Sequence, residues 1–138
     1  MNSSRETVRR GLLLDGLGKL VDLNAVDWHV KHQNPSASPS EVQHETLEVI
    51  RSLVSDGLFR LGGVHSEGEH LGGVVPAGSE RFDPWDRLLD HSIRTISHVY
   101  VKHYDDPERW MYSAWLQLSD KGEQLARSIE EKDIEGYR

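Results

Sequence analysis

Ser38-Pro39-Ser40-Glu41 constrains this chain more firmly than any other stretch, because it sets a helix start to the residue. The serine can accept a hydrogen bond from the third helical N–H. Proline at the first helical position has no N–H to leave unpaired, and the glutamate can reach back to the serine's backbone N–H. The helix that follows runs to about Ser55, with Val42, Thr46, Val49, Ile50 and Leu53 as its buried stripe and Gly57 in the place of a C-cap glycine. Leu58-Phe59-Arg60-Leu61 then has strand character. The middle of the chain is thus committed to helix, glycine and strand in direct succession.

Upstream, Arg5 to about Asp15 forms a first helix with Val8 and Leu12 on one face, and Gly16 and Gly18 end it. Leu20 to Leu23 is an extended stub. Asn24 is the expected N-cap of a second helix, Ala25 to about Gln33, that buries Val26 and Val30 with Trp28 or Ala25 beside them. Downstream, two copies of a short pattern, Leu61-Gly62-Gly63-Val64 and Leu71-Gly72-Gly73-Val74, lie in a glycine-rich stretch. Doubled glycines weaken a strand, so this stretch is taken as a loop rather than as two arms of a hairpin around His65–His70.

Asp83-Pro84-Trp85-Asp86 repeats the capping logic and is expected to open a fourth helix with Trp85, Leu89, Ser92, Ile96, Val99 and His103 on one face. Residues 96–104 also suit a strand, and helix is the reading adopted, ended by Asp105-Asp106-Pro107. Trp110 to Leu118 alternates as a strand should, with Trp110, Tyr112, Ala114, Leu116 and Leu118 on one face. Met111, Ser113, Trp115 and Gln117 take the other. Asp120 with Glu123 is expected to cap a last helix burying Leu125, Ala126 and Ile129. Residues 1–132 make one α+β domain, with 62–109 inserted and 133–138 as a frayed tail.

The order of elements resembles the winged helix-turn-helix superfamily. Thr46 to Leu61 is similar to that superfamily's third helix running through a glycine into the first wing strand. Trp115 to Ala126, with Leu118-Ser119-Asp120-Lys121-Gly122 inside it, is similar to the last wing strand and the helix start of many bacterial transcription regulators. The resemblance covers roughly residues 5–61 and 110–130. It implies three N-terminal helices, a two-stranded β-hairpin interrupted by an inserted helix, and a C-terminal helix. A plain wing would have a tight loop where this chain has the insertion.

A helix that reads DNA needs Arg, Lys, Asn or Gln on its outward face and positive charge nearby. The outward face of the third helix instead holds Glu41, His44, Glu48, Arg51, Ser52 and Ser55, with Glu45 at its margin. The 138 residues carry a net charge of −7, which also opposes contact with phosphates. Arg5, Arg9 and Arg10 on the first helix, with Arg51, are the candidate nucleic-acid footprint, and DNA binding by a winged-helix transcription regulator is the second reading. The first reading is a protein-interaction module, a role that winged helices without a basic face often serve. Its partner would be basic, as for a regulator, an inhibitor or an immunity-type protein. Glu41, His44, Glu45, Glu48 and Arg51 are the expected contacts, with Trp115 as an apolar anchor if no helix covers it. The inserted helix is the expected cover. Dimerisation through the first or the inserted helix is compatible with the resemblance.

The sequence contains no P-loop, dinucleotide fingerprint, nucleophile elbow or metalloprotease helix, so a non-enzymatic role without a cofactor is expected. Without cysteine there is no disulfide scaffold and no thiolate metal ligand. His65-Ser66-Glu67-Gly68-Glu69-His70 gathers metal-ligand types, but on a glycine-rich loop it is expected to be only a polar tip. His29 and His32, and His91 with His98, are expected on solvated helix faces. The N-terminal residues lack a secretory apolar stretch, and Leu12-Leu13-Leu14 is too short to span a bilayer, so a cytoplasmic location is expected.

Overall fold

The structure, a computed structural model, describes residues 2–66 and 80–135. It is α+β. In chain order the elements are α1 (Asn2–Asp15), β1 (Val21–Asp22), α2 (Leu23–Gln33), α3 (Pro39–Ser55), β2 (Phe59–Ser66), β3 (Glu80–Pro84), α4 (Leu89–Lys102), α5 (Pro107–Trp110), β4 (Trp115–Leu118) and α6 (Asp120–Glu135). The strands form one antiparallel sheet in the order β1-β4-β2-β3.

The central helix forms as its sequence requires. Ser38 accepts from the Glu41 N–H, and the Glu41 carboxylate accepts from the Ser38 N–H. Val42, Thr46, Val49, Ile50 and Leu53 are all buried. At its end Gly57 takes a φ of 73°, which an L side chain resists. That turn lets the Gly57 N–H reach the Val54 carbonyl and the Leu58 N–H reach the Leu53 carbonyl, so two of the helix's terminal acceptors are satisfied. The chain leaves directly into β2. β2 pairs with β4 from Phe59 opposite Leu118 to Gly62 opposite Trp115, so the two strands flanking the insertion are neighbours.

The rungs decide which side is core. Phe59, Leu61, Val21 and Leu116 turn inward and are buried with Val8, Leu12, Leu23, Val26 and Val30 from the first two helices. α6 closes this side by packing on α1. It can approach because Gly122 lacks a side chain: a Cβ there would lie 2.0 Å from the Leu58 carbonyl oxygen. Ser119 caps α6, its hydroxyl accepting from the Gly122 N–H.

Several local expectations give way to tertiary contacts. α2 is capped by Asp22, not Asn24, and starts at Leu23. The carbonyls of Ala114 and Met111 accept from the Leu23 and Asn24 N–H groups, and Asp22 accepts from Ala25. α6 begins from Ser119 rather than Asp120, and Leu125 is exposed while Ala126 is buried. β2 runs on through the first glycine pair to Ser66, because β3 supplies partners from Gly62 opposite Pro84 to Ser66 opposite Glu80. The second glycine pair lies outside the described residues.

Asp83-Pro84 therefore belongs to a strand and opens no helix. α4 starts at Leu89 without a side-chain cap and buries Ser92, Ile93, Ile96 and Tyr100, leaving Val99 and His103 half-buried. Trp85 stays outside α4 and packs against the core with Arg87 over its ring. Residues 96–102 are helical, which settles the strand alternative. The alternating stretch from Trp110 is strand only from Trp115. Pro107 starts the single turn of α5, and Trp110 sits buried at its end, its indole N–H on the Tyr104 carbonyl at 3.1 Å.

Candidate interaction surface

The acidic helix face and the basic trio expected as rival contact sites meet each other in the fold. α1 lies across α3, and Arg5 grips Glu45 with two hydrogen bonds, Nε to Oε2 and Nη2 to Oε1, each 2.8 Å. The Glu45 hydrogen bond holds the Arg5 guanidinium even more firmly charged than usual. One turn on, Arg9 donates to the Ser52 hydroxyl and pairs with Asp56 at 2.9 Å. Arg10 reaches Asp133 of α6, and Arg51 is bound to Asp90 of α4, whose carboxyl it holds below its ordinary range by hydrogen bonding. All four arginines of the nucleic-acid footprint thus have carboxylate partners in this chain.

The insertion adds a second barrier. α4 packs on α3, the helix that would read bases, and the Arg51–Asp90 pair crosses that contact. Its anchor is a polar cluster absent from the expectations above. The Asp27 side chain on α2 is 2% exposed. It accepts from the Tyr100 hydroxyl at 2.5 Å, the Tyr104 hydroxyl at 3.0 Å and Lys31 Nζ at 2.8 Å. Tyr100, Tyr104 and Trp110 stack edge and face around it. Burial, helped by the Asp27 bond, raises the Tyr100 hydroxyl pKa far above its ordinary value, and burial also raises that of Tyr104. The spacing of Asp27 and Lys31, four apart on one helix, was the only sequence signal of this cluster.

What remains open at the start of α3 is a cleft of about 550 Å³ between the beginning of α1, the α2–α3 turn and the first turns of α3. Ala37 gives it a small apolar floor over the buried Val30, and Glu41, His44, Asn34 and the Arg5–Glu45 pair stand around it. Hydrogen bonding to the Ser38 backbone and hydroxyl keeps the Glu41 carboxyl below its ordinary range. Glu45 has lone pairs left after receiving Arg5, since an ionised carboxylate offers about four acceptor positions. The cleft can hold a long side chain whose stem lies on Ala37 and whose cationic head meets Glu41 and Glu45. Glu48 and Arg51, 4.0 Å apart, stand further along α3.

The remaining candidates are dispersed. Trp115 is not in the cleft and is half-exposed on the sheet, and α4, its expected cover, packs on α3 instead. Trp28, expected beside the core, is 55% exposed with His32 stacked on it, and His29 pairs with Asp15 at 2.7 Å. His91 and His98 are exposed on α4. Most of the His65–His70 tip lies outside the described residues. Among the described residues no group of three or more His, Asp or Glu is placed to hold a metal ion, and no helix is long and apolar enough to cross a membrane. Comparison with protein-family models, with curated proteins and with solved structures gives no match.

Proposed function

We propose that this chain is a cytoplasmic, non-enzymatic, winged-helix-like interaction module that captures a basic protein partner in the cleft at the start of α3. The observation that carries this reading is the internal pairing of Arg5, Arg9, Arg10 and Arg51 with Glu45, Asp56, Asp133 and Asp90. Phosphate contacts supply most of the affinity of a DNA-binding protein, and these cations are already engaged. A lysine or arginine of the partner meets Glu41 and the lone pairs that Arg5 leaves on Glu45, beside Ala37. Glu48 adds negative potential along the same helix, and His44 supplies a polar rim. The winged-helix part of the reading is supported by three helices leading into β2 and by the pairing of β2 with β4 beside β1.

The test is a pair of titrations on the full chain, one with random duplex DNA and one with a peptide rich in lysine and arginine, each across a range of salt. The peptide is expected to bind, and to bind at least tenfold more weakly to the double variant Glu41→Gln/Glu45→Gln. Glutamine at position 41 preserves the capping box, and at 45 it still accepts from Arg5, so the fold is spared. DNA binding that falls steeply with salt would overturn the reading in favour of a transcription regulator.

A further inference from the structure

The rungs that place Phe59, Leu61 and Leu116 in the core put Arg60, Gly62 and Val64 of β2, Trp115 and Gln117 of β4 and Phe82 of β3 on the opposite face of the sheet. Among the described residues no helix has its main packing on that face: α1, α2 and α6 join the core side, and α4 packs on α3 and α5, its start only bordering the Arg60 edge. The face is aromatic. Phe82 lies across Gly62, where a Cβ would come within 2.9 Å of its ring, and Trp115 stands opposite the same glycine. Tyr112, itself 61% exposed, stacks on Trp115 with ring centres 5.7 Å apart. Arg60 sits over the Phe82 ring and bonds Gln117 across the strands. Tryptophan, tyrosine and arginine are the residue types that most often dominate interface energetics.

We infer that this face is a self-association surface and that its occupant is a second copy of this chain. Two features of this face favour a copy over another partner. The first is charge. The chain carries −7, so most faces of two copies repel, yet the register puts few charges on this face: Arg60, Glu80 at the far end of β3, and Asp22, which is turned away to cap α2. The second is self-complementarity. One end of the face is polar, with Arg60 opposite Gln117, and the other is apolar, with Trp115 opposite Gly62 and Phe82 opposite Val64. A two-fold axis lying between the sheets and perpendicular to the strands brings the Arg60 end of each copy over the aromatic end of the other. The contact is then isologous, the polar end of each copy lying on the apolar end of the other. Sheets packed in this way interdigitate at a spacing of about 10 Å.

The experiment is sedimentation velocity of the full chain from low micromolar to the highest soluble concentration, at low and high salt. The expected result is a monomer–dimer equilibrium that salt strengthens, because screening relieves the repulsion between two acidic copies. This is the opposite of the salt response of a cationic partner in the cleft, so failure of one reading leaves the other standing. Trp115→Glu should shift the dimer dissociation constant at least tenfold, and Tyr112→Glu, in an exposed turn, gives the same test without touching a strand. A monomer at every concentration and salt would overturn the inference. So would a dimer that both variants leave unchanged.

Discussion

Replacing Asp27 by alanine is expected to lower stability by about 2–4 kcal/mol, most of it through the one partner that cannot reach water. The Tyr100 hydroxyl is fully buried, and losing its carboxylate acceptor at 2.5 Å leaves it only the neighbouring Thr46 hydroxyl, a weaker acceptor, which costs about 1–3 kcal/mol. Tyr104 is half-buried and can recover a water. Lys31 is about half exposed, so its ion pair counts as a surface pair worth about 0–1 kcal/mol. Removing the buried charge itself relieves some desolvation, which keeps the total below the upper range for broken buried pairs. In a chain of this size the loss should lower the melting temperature by roughly 7–14 °C. The assay is urea unfolding followed by circular dichroism, with hydrogen exchange over residues 89–110 to show that the insertion loosens first. A double-mutant cycle sharpens it: Asp27→Ala/Tyr100→Phe removes the Tyr100 hydroxyl together with its acceptor and should be more stable than the summed single losses by about 1–3 kcal/mol. An Asp27→Ala protein within about 0.5 kcal/mol of the parent, or strict additivity in the cycle, would refute the reasoning.

Three further outcomes follow from the same geometry. Gly122→Ala, in a helix where alanine would ordinarily add about 1 kcal/mol, should instead destabilise by more than about 2 kcal/mol, because its Cβ lands on the Leu58 carbonyl; thermal unfolding decides the sign. Ser38→Ala removes half of the reciprocal cap and should cost about 1 kcal/mol in urea unfolding, with no change in the slope. Stability should fall as the pH rises above about 10, where the unfolded chain releases tyrosine protons that Tyr100 keeps in the fold, at about 1.4 kcal/mol per pH unit for that hydroxyl; below that pH its contribution is intact. Tyr100→Phe should flatten that alkaline slope, and an unchanged slope would assign it elsewhere.

Features whose physics is local could be read directly from the residues. The capping box at Ser38, the stripe from Val42 to Leu53 and the glycine turn at position 57 each satisfy their own backbone groups within a few residues, and all three stand as read. The pairing of β2 with β4 across the insertion was also legible, since Leu58–Leu61 and Leu116–Leu118 carry strand patterning on either side of it. The rest depended on partners distant in the chain. Asp22 rather than Asn24 starts α2 because the carbonyls of Ala114 and Met111 take its first N–H groups. Asp83-Pro84 has the local marks of a helix start, but β2 offers it a ladder. The alternation from Trp110 looked like a strand, yet Trp110 is buried among tyrosines at the end of a helical turn. At the candidate site the residue types were visible, whereas the pairing of Arg5 with Glu45, 40 positions apart, was not. Composition records how many charges a chain carries. Only the packing of α1 and α4 on α3 decides which charges neutralise one another and which are left for a partner.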